Sequence, residues 1–237
     1  MKLWRRATTA SWLDIVTTLS VVVASVGIIR SSLLREPAAT PSPRTPIPSE
    51  PLSLDGAAVK GSRNASVALV VFSDFQCPAC GQLARVTLPR VEEEYIRTGR
   101  VVLAYRHLPL EQIHPFAVPA AIAAECAGAE GKFWNMHDLL FADQATLNDA
   151  GLRIRAATLG LSPDRFAECT TGDTLDRVRA DGAAAVTLGI TGTPTTLVGT
   201  IDGNGKVVVQ EVVRGAAPFE TFRAALDRAL RTSARRK

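Results

Sequence analysis

Cys77 and Cys80 stand with only Pro78 and Ala79 between them. Two thiols at that spacing can close a reversible disulfide or supply half of a zinc site. A zinc site needs a second close ligand pair. Cys126 and Cys169 are far apart in the chain, and His107, His114 and His137 show no ligand spacing, so no metal is expected. The chemistry left is thiol–disulfide exchange, in which the thiolate rather than the thiol is the nucleophile.

Something must then stabilise charge on one sulfur. Val67-Ala68-Leu69-Val70-Val71 is an unbroken apolar run bounded upstream by Gly61-Ser62-Arg63-Asn64. It reads as a strand buried on both faces. After Cys80 the apolar positions Leu83, Val86, Leu88, Val91 and Tyr95 approximate helical spacing, up to Thr98-Gly99. The pair therefore sits where a strand gives way to a helix. Cys77 lies at the helix N-terminus, where unpaired N–H groups and the helix dipole favour thiolate and pull the pKa below about 8.5. Pro78 suits the first turn, where its missing N–H costs nothing. Cys80, nearly one turn on, is the more buried resolving thiol.

The segments Phe72-Ser73-Asp74-Phe75-Gln76-Cys77-Pro78-Ala79-Cys80, Gly131-Lys132-Phe133-Trp134-Asn135-Met136-His137-Asp138 and Gly192-Thr193-Pro194-Thr195 occur in that order. In them the chain resembles the DsbA-like thiol:disulfide oxidoreductases of the thioredoxin fold, over roughly residues 52–232. The resemblance implies an α/β thioredoxin-like fold with a helical insertion at about 112–189. It implies a redox-active Cys77–Cys80 disulfide with Pro78 and Ala79 as the active-site dipeptide, and no cofactor. It further implies a cis Pro194 facing the cysteines, with Thr193 and Pro194 contacting an extended substrate. For Cys126 and Cys169 it implies a structural disulfide. A second redox pair relaying electrons to the first is the alternative. In two places the chain departs from related proteins. Thioredoxins carry a buried carboxylate where this chain has Val71, leaving solvent or Asp74 to handle the Cys80 proton. Strongly oxidising members have His where this chain has Ala79, so the Cys77 thiolate should be less stabilised than theirs.

The rest of the chain frames this domain. At 237 residues and 46% hydrophobic content it can bury one sizeable core, or one domain with an insertion. The net charge of +4 is concentrated at the ends, since residues 52–230 hold 17 basic and 20 acidic side chains. That distribution excludes a nucleic-acid-binding patch. Lys2, Arg5 and Arg6 precede an apolar segment from Ile15 to Ile29, diluted by Thr17, Thr18, Ser20 and Ser25. It is short for a membrane span of about 17–25 residues, but Leu33-Leu34 can extend it if Arg30 snorkels. No Ala-x-Ala site follows cleanly, so residues 1–35 are read as an uncleaved signal-anchor; a cleaved signal peptide and secretion are the rival. Either exports the remainder. Prolines at 37, 41, 43, 46, 48 and 51 make residues 36–51 an extended polyproline spacer. The thioredoxin-like domain follows at 52–232, then a basic tail at 233–237.

The expected protein is a monomeric, membrane-tethered oxidoreductase acting on protein thiols and disulfides in the periplasm or on the exterior of a bacterium. It is read as an oxidase recycled by a membrane redox partner. A reductase or isomerase, and a binding or chaperone module whose cysteines are only a staple, are the alternatives.

Overall fold

The computed structural model describes residues 47–171 and 173–235. The expected anchor at 1–35, most of the spacer and the last two residues of the tail lie outside them. Among the described residues no helix is long and apolar enough to cross a membrane.

The apolar run forms β2 (Val67–Ser73), every residue of which is buried, and β3 (Val101–His107) is buried throughout as well. The two pair in parallel at the centre of a five-stranded sheet. β4 (Thr195–Ile201) runs antiparallel on the other side of β2, and β5 (Val207–Arg214) antiparallel beyond it. β1 (Ala58–Lys60), antiparallel to β3, completes the order β1-β3-β2-β4-β5. The sequence pattern gave no sign of β1: three residues at a sheet edge carry no readable period.

Alternation along β2 and β3 divides the core. Val67, Leu69 and Val71 join Val101 and Leu103 beneath the helix that follows the cysteines and beneath α8 (Phe219–Ala234), which supplies Phe222 and Leu226. Ala68, Val70 and Phe72 join Val102 and Ala104 on the opposite face, packed with Ala185 and Ile190. Both faces are therefore apolar, the condition for a parallel pair to sit in a sheet centre.

The helix after the cysteines is not uniform. It runs as α1 (Pro78–Gln82), a π-turn at Leu83–Thr87, α2 (Leu88–Val91) and a second π-turn at Glu92–Ile96. Pro89 cannot donate to the Arg85 carbonyl, and the turn before it widens accordingly. The widening shifts the helical phase, and Val86, expected on the buried face, is 61% exposed.

Between β3 and β4 lie α3 (Ala117–Ala129), α4 (Phe133–Ala142), α5 (Asp149–Thr158), α6 (Pro163–Thr171) and α7 (Thr174–Thr187). Asn148 caps α5 by accepting from the Gly151 N–H. Asp173 does not cap α7 with its side chain, and Thr174 Oγ1 turns back to the Cys169 carbonyl. These helices are fastened to the sheet by polar groups. Arg106 Nη1 meets Asp181 Oδ1 at 2.6 Å with both side chains buried, and the His107 N–H donates to Asp181 Oδ2. Arg106 also donates to the Ser53 and Asp55 carbonyls, holding the segment before β1.

Candidate active site

β2 ends at Ser73, and the chain turns through Asp74, Phe75 and Gln76 into α1. Cys77 occupies the N-cap position of α1 with extended dihedrals, and Pro78 takes the first helical position. Cys80 is 1% exposed and Cys77 7%, both as free thiols. The local sequence dictates this arrangement. A strand end supplies the extended residue, proline starts the helix, and residue 80 returns toward the strand.

Charge is unequally favoured on the two sulfurs. The Cys77 thiol falls from an ordinary 9.0 to about 5. The largest cause is a hydrogen bond from the Cys80 thiol; burial opposes it, and the N–H groups of Cys80 and Ala79 and the Thr193 side chain assist. Burial pushes the Cys80 thiol far up, and its bond to Cys77 adds to the rise. One member of the pair is therefore a thiolate at neutral pH while the other holds its proton.

Opposite Cys77 lies the turn into β4. The Thr193–Pro194 peptide is cis, and Cys77 Sγ lies 3.6 Å from the Thr193 carbonyl oxygen. The backbone thus brings together four residues named from the sequence: Cys77, Cys80, Thr193 and Pro194. Cys126 and Cys169 are joined to each other, α3 to α6, at S–S 2.06 Å. Among the described residues no group of acidic, His and Cys side chains is placed to hold a metal ion.

Other residues complete the site, and of these only Asp74 was singled out in the sequence. Asp74, 2% exposed, ties the active-site turn to the segment after β3. Its carboxylate accepts from the Gln76 N–H (2.7 Å), the Leu110 N–H (2.9 Å) and His114 Nδ1 (2.7 Å), while its own N–H donates to Cys80 Sγ at 3.4 Å. His114, which shows no ligand spacing in the sequence, reaches the site through Asp74. His107 does not: its Nε2 is bound to buried Glu125, which also meets Arg177. Gln144 Nε2 donates to the Phe75 and Cys77 carbonyls from the turn between α4 and α5. Gly81 makes room for it, since a Cβ there would lie 2.1 Å from Gln144 Oε1. No spacing rule points to Gln144; only the fold brings it under the cysteines.

The comparisons agree with this geometry. A family model described as thioredoxin matches residues 53–228. The chain belongs to the thioredoxin family. Within it the fold is DsbA-like. The structure of alpha-DsbA1 from Wolbachia pipientis matches at a TM-score of 0.68 and 22% identity, covering 78% of this chain and 96% of that one. BdbD from Bacillus subtilis, in its oxidised form, matches at 0.66 and 23%, covering 77% and 97%. A thioredoxin-like oxidoreductase from Silicibacter pomeroyi matches at 0.63 and 25%, covering 74% and 92%. Among curated proteins, the chain is 42% identical over 146 residues to the Na(+)/H(+) antiporter NhaA 3 of Salinispora tropica, a stretch covering 61% of this chain and 22% of that protein. It is 31% identical over 168 residues to NhaA 1 of Mycolicibacterium vanbaalenii, covering 69% and 27%. The chain thus spans about a quarter or less of the length of these curated relatives.

Proposed function

We propose that this chain is a protein disulfide oxidoreductase whose exchanging pair is Cys77–Cys80. The observation that carries the reading is the asymmetry of the pair: a Cys77 thiol brought down to about 5 beside a buried Cys80 thiol pushed the other way. Cys77 is the sulfur attacked by, or attacking, substrate, and Cys80 resolves or leaves. Thr193 and Pro194, on the other side of Cys77, are positioned to meet the substrate backbone. The antiporter names belong to proteins of which this chain matches a minor part, and the reading rests on the cysteine site.

The direction proposed is oxidation. A low pKa at Cys77 stabilises only the dithiol form, because a disulfide has no thiolate to stabilise. The disulfide then gives up its bond readily. The domain is proposed to work outside the cytoplasm as a monomer, tethered through residues 1–35 and the spacer 36–51 and recycled by a membrane redox partner. Cys126–Cys169 is proposed as a structural staple.

The test is oxidation of a peptide dithiol by the preformed disulfide form. Wild type should transfer its disulfide, Cys77→Ala should not, and Cys80→Ala should trap a mixed disulfide with a thiol-activated substrate. Transfer by Cys77→Ala at the wild-type rate would sink the assignment.

A further inference from the structure

Exchange at Cys77 makes a demand on Cys80. When a substrate thiolate attacks Cys77 Sγ, the substrate–Cys77 bond forms and the Cys77–Cys80 bond breaks. The electron pair leaves on Cys80 Sγ. The proton lost when the substrate thiol ionised reaches Cys80 from solvent afterwards. A sulfur 1% exposed must therefore carry negative charge in the transition state, where water cannot solvate it.

The polar groups near it are mostly committed. The Asp74 N–H already points at Cys80 Sγ, while the Asp74 carboxylate holds three other donors. His107 Nε2 is held by Glu125. Val71, Leu69 and Leu83 are apolar. Several hydroxyls remain, among them Thr196, set opposite Val71 on β4, but Ser73 is the one that acts on Cys80, and Tyr105 is the one that Ser73 also meets. Alternation along the strands puts Ser73 on the face of Val67, Leu69 and Val71, and Tyr105 on the face of Val101 and Leu103, which is the same face of the sheet. The parallel register sets Tyr105 against Val71, one step along that face from Ser73. Ser73 precedes Asp74, whose N–H reaches the sulfur. Tyr105 lies in the same buried cluster as Cys80, its ring stacked on Phe75 at 5.2 Å. It is 2% exposed, its hydroxyl makes no hydrogen bond of regular geometry among the described residues, and the side chain that acts on it is Ser73. A buried hydroxyl left that way costs stability in the resting dithiol, and Tyr105 is kept out of its own ionised form by burial. Phe would fill the same space without that cost. The Ser73 side chain also favours charge on Cys80, against the burial that opposes it.

We propose that Ser73 and Tyr105 form a hydroxyl pair that stabilises the departing Cys80 thiolate, Ser73 donating to Cys80 Sγ and Tyr105 donating to Ser73 Oγ. Ser73 is the catalytic residue of the two, since its hydroxyl would meet the reacting sulfur, and Tyr105 is its positioning residue. The inference rests on the disulfide-exchange reading above. The pair acts in both directions, because resolution by Cys80 passes through the same transition state. At neutral pH both end states carry an uncharged Cys80, so the pair changes rates and not the equilibrium.

The experiment compares the oxidised full-length protein with Ser73→Ala, Ser73→Thr, Tyr105→Phe and Ser73→Ala/Tyr105→Phe, each reacting with glutathione at pH 7. Ser73→Ala should slow loss of the Cys77–Cys80 disulfide about tenfold, the worth of one hydrogen bond to a charged group. Tyr105→Phe should slow it by roughly threefold, an indirect share of that bond. The double variant should match Ser73→Ala, since Tyr105 acts through Ser73. Ser73→Thr keeps the hydroxyl and should stay near wild type. The equilibrium with glutathione, and alkylation of Cys77 by iodoacetamide in the reduced protein, should be unchanged throughout. Wild-type rates in Ser73→Ala or Tyr105→Phe would overturn the proposal. So would alkylation slowed by the same factor, or an equilibrium shifted in proportion to the rate, since either marks a general structural effect. A wild-type protein that does not exchange at Cys77 would instead remove the functional reading beneath it.

Discussion

The two cysteine pairs hold the same element in opposite settings. Cys77 and Cys80 sit at a strand-to-helix junction, close in sequence, with N–H groups, a carbonyl and a second thiol gathered around them. Cys126 and Cys169 lie on α3 and α6, packed among Ala120, Ala123, Phe133 and Phe166, and close a loop across 43 positions. The first setting makes thiolate cheap on one sulfur. The second offers one hydroxyl, Thr174 Oγ1 at 3.3 Å from Cys169 Sγ, and no helix N-terminus, but its loop gives cross-linking a large effect on the unfolded chain. Reactivity is thus set by what surrounds the sulfur, and constraint by how much chain it closes.

The sharpest way to break this contrast is to remove each pair in turn. Cys77→Ala should abolish disulfide transfer, whereas Cys126→Ala/Cys169→Ala should leave turnover within about twofold, a change too small to register as a lost transition-state contact. The same double variant should lose about 4 kcal/mol in denaturant unfolding, the chain-entropy value for such a loop. If turnover collapses in the folded double variant, the second pair is a relay and the contrast fails.

Next in size is the effect of Cys80 on Cys77. Cys80→Ala removes the largest cause of the low Cys77 pKa, so thiolate absorbance should titrate well above the wild-type midpoint of about 5. The folded pKa lies below the unfolded one, so this thiol stabilises the reduced protein fully above about pH 8.5. That contribution fades as pH falls and is gone below about 5. Reduced wild type should therefore lose stability relative to reduced Cys77→Ala as pH is lowered from about 8.5 to about 5. A pH-independent difference would contradict the thiolate.

Smaller still is the clamp under the active site. Gln144→Ala removes two hydrogen bonds to the Phe75 and Cys77 carbonyls and should cost about 1–3 kcal/mol. Gly81→Ala should act through the same loss, because its methyl group would take the place of Gln144 Oε1. If the two substitutions add fully in the double variant, they do not share that clamp.

The contrast also explains what could be read from the sequence. Local order suffices for the first pair, because strand, proline and helix follow one another and the spacing carries the chemistry. The central strands were legible for the same reason, being apolar without interruption. Gln144, His114 and Tyr105 were not, since each reaches the site only after the helices fold back onto the sheet. Val86 was misplaced because Pro89 widens the helix before it, a tertiary phase shift that helical spacing does not record.

The central claim is that the surroundings of Cys77 favour the dithiol and make the disulfide an oxidant. Its most direct measurement is the Cys77–Cys80 equilibrium with glutathione at pH 7, in the Cys126→Ala/Cys169→Ala background so that one disulfide is read. The account predicts a potential between about −270 mV, typical of thioredoxin, and about −120 mV, typical of DsbA. Ala79→His should raise it further. A potential at or below about −270 mV would contradict the oxidising assignment and make the protein a reductase.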